Sequence, residues 1–193
     1  MSYSNTKPAK EKWLQEGYRQ FALYGPDSLS IKKISEEIGS SRASFYHYFG
    51  DIDVFREELL AMHWHFVLDF IKIGKVECKQ LFPDLYRLLA KYTAPLQFTI
   101  QLFRHRNTPV YNFLFIKAYE TPARAFILKL FAQEYSLNQP ESEMLKLWLT
   151  VGETWYSRLD LNDLSARTMQ KHAEEIMETV VSFARSHLFE QFV

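Results

Sequence analysis

The residues best suited to chemistry stand together between Leu29 and Phe49, in the run Leu-Ser-Ile-Lys-Lys-Ile-Ser-Glu-Glu-Ile-Gly-Ser-Ser-Arg-Ala-Ser-Phe-Tyr-His-Tyr-Phe. The pattern predicts two short helices. Lys32 and Lys33 fall in the first turn of one and Arg42 in the first turn of the other, where the helix dipole already concentrates positive charge. A sequence shaped only for helix stability would put Asp or Glu there. Cations, hydroxyls and free backbone N–H groups gathered at helix starts fit phosphate oxygens instead. Ser30, Ser40, Ser41 and Ser44 supply the hydroxyls. Phe45 and Phe49, four residues apart, turn inwards and leave Arg42, Ala43, Ser44, Tyr46 and His47 on the outer face. Arginine can donate two hydrogen bonds to guanine, alanine can lie against a thymine methyl, and Ser, Tyr and His reach phosphates or base edges. The expected ligand is double-stranded DNA, contacted through Ser30, Lys32, Lys33, Ser40, Ser41, Arg42, Ala43, Ser44, Tyr46 and His47.

These residues need a small scaffold. A helix from about Lys10 to Tyr24 carries Trp13, Leu14, Gly17, Tyr18 and Phe21 along one stripe, and Gly25-Pro26-Asp27 ends it. Residues before about Ala9 read as a flexible arm. Ser30 caps a second helix that buries Ile31, Ile34 and Ile38. Gly39 supplies a left-handed turn residue, Ser40 or Ser41 caps the third helix, and Asp51 caps a fourth that runs to about Ile73. The layout is a helix-turn-helix.

The run from Phe21 to Leu60 resembles the head of the TetR family of bacterial transcriptional regulators. Ser30 matches the cap of that family's second helix, and Ile34 and Gly39 match its anchor and turn glycine. Ser44-Phe45-Tyr46 matches the core of its recognition helix, and Phe49 the residue that closes it. One position departs: family members commonly carry a phosphate-facing lysine where this chain has Ile52, between Asp51 and Asp53. The resemblance implies a homodimer closed by the last two helices as a four-helix bundle. It also implies a repressor of a palindromic operator, released by a small effector bound between head and dimer helices.

The rest of the chain reads as helical. Pro83 opens a helix, Pro95 breaks it after Ala94, and Thr108-Pro109 and Thr121-Pro122 each start another. Pro140 precedes a further helix to about Leu159, and Asn162 or Asp163 caps the last, to about Leu188. Six glycines in 193 residues leave little material for the turns of a many-stranded sheet. The expected fold is all-α with about nine helices, divided into a DNA-binding domain over residues 1–50 and an effector-binding and dimerisation domain over 51–193. In the helix ending near Leu159 the apolar residues Leu145, Trp148, Val151, Trp155 and Tyr156 span more than one face, so a second surface must cover it. The expected dimer residues are Trp148, Val151, Gly152, Tyr156, Ala173, Ile176, Val180 and Phe183. The aromatics Trp64, Tyr86, Phe98, Phe103, Tyr111, Phe115, Tyr119 and Trp155 are expected to line a pocket for an apolar or aromatic effector, although stripes of that spacing also build cores.

Composition narrows the remaining classes. Net charge is zero, and residues 1–50 hold seven bases against five acids, so DNA binding must rest on locally placed charges. The single cysteine, Cys78, forms no intramolecular disulfide and fits a reducing cytoplasm. The N-terminal residues lack an apolar signal core, and His63, His65, Asp69 and Lys72 interrupt the most apolar stretch, so no membrane segment is expected. Neither a glycine-rich phosphate loop, nor a metal-ligand cluster, nor a nucleophile motif is visible; the reading is of a cytoplasmic protein that is not an enzyme and needs no cofactor. The rival readings are a TetR-like protein that has lost DNA binding and an all-α ligand carrier or enzyme.

Overall fold

Among the described residues the chain forms ten α-helical segments and no strand. The structure is a computed structural model that describes residues 6–190, with side chains over 8–182. The first four helices are α1 (Thr6–Tyr24), α2 (Ile31–Glu37), α3 (Arg42–Phe49) and α4 (Ile52–Glu77). They are followed by α5 (Tyr86–Lys91), α6 (Thr93–Arg104), α7 (Pro109–Pro122), α8 (Leu128–Glu134), α9 (Glu141–Arg158) and α10 (Ala166–Glu190). α7 and α8 are one helical rod joined by a wide turn over Ala123–Ile127, which leaves nine rods.

Several expected boundaries move. α1 begins at Thr6, so part of the supposed arm is helical, while residues 1–5 lie outside the described residues. The break before Pro95 falls at Tyr92, whose φ −104° and ψ 47° leave the helical region. Pro95 then sits in the first turn of α6, where its missing N–H has no helical partner to lose. Thr121-Pro122 does not open a new helix; the chain continues through the wide turn, which accommodates the absent donor and the proline ring. The last helix is capped by Ser165, whose Oγ accepts from Thr168 N at 3.2 Å. Asp163 supports this cap from outside by accepting from Ser165 N and the Thr168 hydroxyl. α4 runs on to Glu77, and Cys78 is buried behind it, its thiol pushed up to about 11 by burial and then by Asp84 and Glu77. Such a thiol is a poor nucleophile at neutral pH.

The chain forms two compact units, one from Met1–Asp69 with Ala94–Ala118, the other from Phe70–Thr93 with Tyr119–Val193. In the first, α1 lies so close to α4 that a Cβ at Gly17 would overlap the Phe55 ring. Phe98 of α6 stacks on Phe21 (centroids 3.9 Å apart), Tyr18 (4.5 Å) and His63 (4.5 Å). His63 is fully buried and bonded on both ring nitrogens, to the Tyr18 hydroxyl at 2.8 Å and the Thr99 hydroxyl at 3.3 Å. The buried Gln101 amide donates to the carbonyls of Ala22 and Leu23, which α1 leaves without helical donors at its end.

The second unit packs α5, α8, α9 and α10 around Tyr86, Leu88, Phe131, Trp148, Trp155 and Met169. The Trp155 indole donates to Met169 O at 2.8 Å, tying α9 to α10. Tyr119 presses its hydroxyl onto Gly152 while donating to Trp148 O at 3.0 Å. Replacing Gly152 by Ala should therefore displace Tyr119 and destabilise the protein by about 1–3 kcal/mol, the usual cost of overpacking. Urea titration read by tryptophan fluorescence checks this, and an unchanged midpoint would show that Tyr119 can move freely.

Candidate nucleic-acid interface

The interface is built on an aromatic base. Trp13 of α1, Phe45 and Phe49 of α3 and Phe55 of α4 are all buried. Ring centroids lie 5.2 Å apart for Trp13–Phe45, 5.1 Å for Phe45–Phe49 and 4.8 Å for Phe49–Phe55. Four packed rings, two of the three pairs edge to face and Phe45–Phe49 tilted at 42°, fix the roll of α3 about its axis, and so which residues it presents outwards. Ile34 anchors α2 from the same core.

The turn between the two helices is set locally. Ser30 Oγ accepts from Lys33 N at 3.4 Å and starts α2. Gly39 has φ +62°, a conformation that costs a side chain about 1 kcal/mol or more, and no neighbouring atom stands near it. Of the two candidate serines, Ser41 is the cap: its Oγ accepts from Ser44 N at 3.3 Å. Ser40 and Ser44 share a hydrogen bond at 2.8 Å, and the Ser44 hydroxyl also lies 2.7 Å from Ser41 O. After α3, Gly50 (φ +75°) turns the chain and Asp51 caps α4 by accepting from Asp53 N and Val54 N at 2.8 and 2.9 Å.

The expected contact residues come together on this surface. Lys32, Lys33, Ser41, Arg42, Ala43, Tyr46 and His47 are exposed, and Ser30, Ser40 and Ser44 are half-buried. Tyr46 is 56% exposed, high for an aromatic whose neighbours are core residues. Lys32 lies 4.0 Å from Glu36, an exposed pair too weak to hold the ammonium back from an anion. Ile52 is half-buried where the family lysine would stand.

The other expected residues are placed differently. Of the effector-pocket residues, Trp64, Phe98, Phe103, Tyr111 and Phe115 belong to the first unit and Tyr86, Tyr119 and Trp155 to the second. Phe98, Phe103, Tyr111, Phe115, Tyr86 and Trp155 are buried; Trp64 and Tyr119 are half-buried. Phe98 and Tyr111 gather around Phe21, Phe103 meets Phe115 at 5.3 Å, and Trp64 carries the Lys117 ammonium 4.0 Å above its ring. Tyr86 and Trp155 meet at 6.0 Å. Of the dimer residues, Trp148, Val151, Gly152, Tyr156, Ala173 and Ile176 are buried by their own chain, and Val180 is half-buried. The Phe183 side chain lies outside the described residues.

Two polar features escaped the sequence reading. Gln101 and the His63 bonds depend on residues 36 to 79 positions away. Only the spacing Phe55, Leu59, His63, Val67 hinted that His63 lies on the buried stripe of α4. Among the described residues no group of three or more His, Cys, Asp or Glu could hold a metal ion, and no helix is long and apolar enough to cross a membrane.

Residues 14–59 match the family model described as bacterial regulatory proteins, tetR family. No curated protein sequence matches the chain. Among solved structures, a transcriptional regulator from Saccharomonospora viridis in complex with choline superposes with a TM-score of 0.65 at 16% identity, covering 89% of this chain and 96% of its own. A transcriptional regulator (TerR/AcrR family) from Aquifex aeolicus VF5 gives 0.56 at 16% identity, covering 90% and 98%. A TetR-family transcriptional regulator from Mesorhizobium loti MAFF303099 gives 0.56 at 13% identity, covering 91% and 98%. At such identities the likeness establishes the fold.

Proposed function

We propose that this chain, which carries a TetR-family helix-turn-helix head on a TetR-family fold, is a transcriptional repressor that binds double-stranded DNA through α2 and α3 and releases it on binding a small effector. The observation that carries the reading is the outer face of α3. Arg42, Ala43, Tyr46 and His47 stand exposed on a base of four packed rings, flanked by Lys32 and Lys33. A rigid helix with donors outward is what base readout in a major groove needs, and cations at the helix starts fit the flanking phosphates.

One head offers few charges, so the reading includes a two-fold dimer that places two recognition helices about one DNA turn, roughly 34–36 Å, apart on a palindromic site. Because α9 and α10 bury Trp148, Val151, Tyr156, Ala173 and Ile176 within the chain, their outer faces are polar, with Lys146, Thr150, Thr154 and Lys171 exposed. A dimer across these helices would meet through those residues and Val180 rather than through the buried stripe. The effector part is supported by the choline found in the S. viridis relative and by the aromatic content of both units. α4 is one unbroken helix whose first turns hold the head and whose last turns belong to the second unit, so a shift along it would carry effector binding to α3.

A mobility shift with the DNA upstream of the protein's own coding region, repeated from 50 to 200 mM salt, tests the reading. Lys32 and Lys33 from two heads make about four phosphate-neutralising cations, which predicts a slope of log K against log salt of about −3.6. An absent shift, or a slope near zero, would instead support a protein that has kept the fold and lost DNA binding.

A further inference from the structure

A groove of about 440 Å³ lies on the second unit, where the start of the Leu81–Leu85 turn and the end of α8 meet α10. Phe82 and Tyr135 form one corner of it, their rings perpendicular with centroids 6.4 Å apart. Behind them Tyr86 stacks on Phe82 at 5.4 Å and Phe131 meets Tyr135 at 5.2 Å, so neither ring is free to turn away. The buried Met177 completes the apolar lining. Against these walls stand three carboxylates, Glu134, Glu174 and Glu178.

No cation lies within ion-pair distance of these three among the described residues. Glu174 accepts a hydrogen bond from the Gln170 amide at 2.8 Å and borders the adjoining groove of Arg87, Arg167 and Lys171 without an ion pair to them, so Glu134 and Glu178 carry most of the open charge. Lys171 and Arg158, the pairing cations of this region, are both directed to Glu175, at 3.7 and 3.4 Å. The Tyr135 hydroxyl registers the resulting field, pushed up to about 12 by burial and then by Glu134, Glu174 and Glu178, so it stays a protonated donor.

We propose that this groove binds a small organic cation, an alkylammonium or quaternary ammonium group, seated in the corner of Phe82 and Tyr135 and neutralised by Glu134, Glu174 and Glu178. A tetraalkylated nitrogen needs polarisable walls for its methyl groups and negative charge at a distance, and the groove provides both on different sides. A hard divalent cation needs converging oxygen ligands instead, and two of the walls here are ring and thioether. The site goes beyond the DNA-binding reading and does not depend on it.

The test uses the full chain and tetramethylammonium chloride, with sodium chloride at equal ionic strength and tert-butanol as a neutral molecule of similar size and shape. Tetramethylammonium is expected to raise Tm saturably, whereas neither control does. Tyr135→Leu should weaken the apparent affinity about tenfold, and so should Glu134→Gln with Glu178→Gln. Arg19→Gln, on α1 in the first unit, should leave it unchanged. Glu134 and Glu178 are exposed, so the double glutamine variant decides the matter even where Tyr135→Leu does not fold. An equal response to tert-butanol would mark a merely apolar slot, and an equal response to sodium mere screening. Either result, no saturable shift, or a double variant that binds undiminished overturns the proposal.

Discussion

Replacing Arg42 and Tyr46 together by alanine is expected to weaken duplex binding by about 2–4 kcal/mol, roughly 30- to 1000-fold, with no change in thermal stability. The two halves of that statement have separate causes. Arg42 opens α3 with an exposed guanidinium, and among the described residues no hydrogen bond or ion pair holds it. Tyr46 touches the core only through the edge of Phe45, at 5.5 Å, and over half its surface faces solvent. Removing either leaves no cavity and no orphaned polar group, so the folded state loses little. The single variants should differ in kind. Arg42→Ala should relax discrimination at one base pair, whereas Lys33→Ala should weaken all duplexes alike and reduce the salt slope by about one unit per head. Equilibrium mobility shifts on specific and scrambled duplexes distinguish these outcomes. Unchanged affinity in the double variant would mean that α3 is not the reading helix.

This surface was legible in the sequence because it is specified locally. Ser30, Gly39, Ser41, Gly50 and Asp51 each act within three residues of themselves, through a cap or a positive φ, and the short window from Ser30 to Asp51 contains every signal. The four-residue spacing of Phe45 and Phe49 then fixes the outer face. The one ambiguity, Ser40 or Ser41 as cap, was a question of geometry: both lie near the helix start, and only Ser41 meets Ser44 N.

The body was legible as helices and not as an arrangement. Proline punctuation located most boundaries, yet Pro122 was misread because a wide turn lets the rod continue, and nothing in Thr121-Pro122 itself tells the two outcomes apart. Gly152 shows the deeper limit. A glycine on an apolar helix implies a close neighbour, and the natural expectation was a helix from a second copy. The neighbour is Tyr119 of the same chain, which sequence spacing could not name. The multi-sided apolar character of α9 has the same origin. With Tyr119 and Phe131 packed on Trp148, and Trp155 bonded across to Met169, one chain covers both faces that periodicity assigned to two.

Acid should destabilise this protein earlier than its carboxylates alone require, through His63. Burial, with no exposed surface and Phe98 stacked on the ring, lowers its folded pKa to about 3 from the ordinary 6.5. The folded state therefore keeps the imidazole neutral while the unfolded chain protonates it below about 6.5. Between these values the unfolded state binds the additional proton, so stability from this residue is fully present above pH 6.5 and is lost as pH falls towards 3. The limiting slope for one proton is about 1.4 kcal/mol per pH unit. The comparison to make is with a variant that removes the titration without leaving a hole. His63→Phe alone would strand the Tyr18 hydroxyl, which bonds to Nδ1, whereas His63→Phe with Tyr18→Phe replaces both partners by apolar rings of similar shape. Thr99 keeps a second acceptor in Pro95 O at 3.0 Å. Urea unfolding from pH 7.5 to 4.5 should give stability curves for the two proteins that run parallel above pH 6.5 and differ in slope below it, the native protein losing stability faster by up to one proton's slope. Parallel curves throughout would show that His63 ionises in the folded protein, and the bonded, buried ring joining α1, α4 and α6 would then have to open at mildly acidic pH.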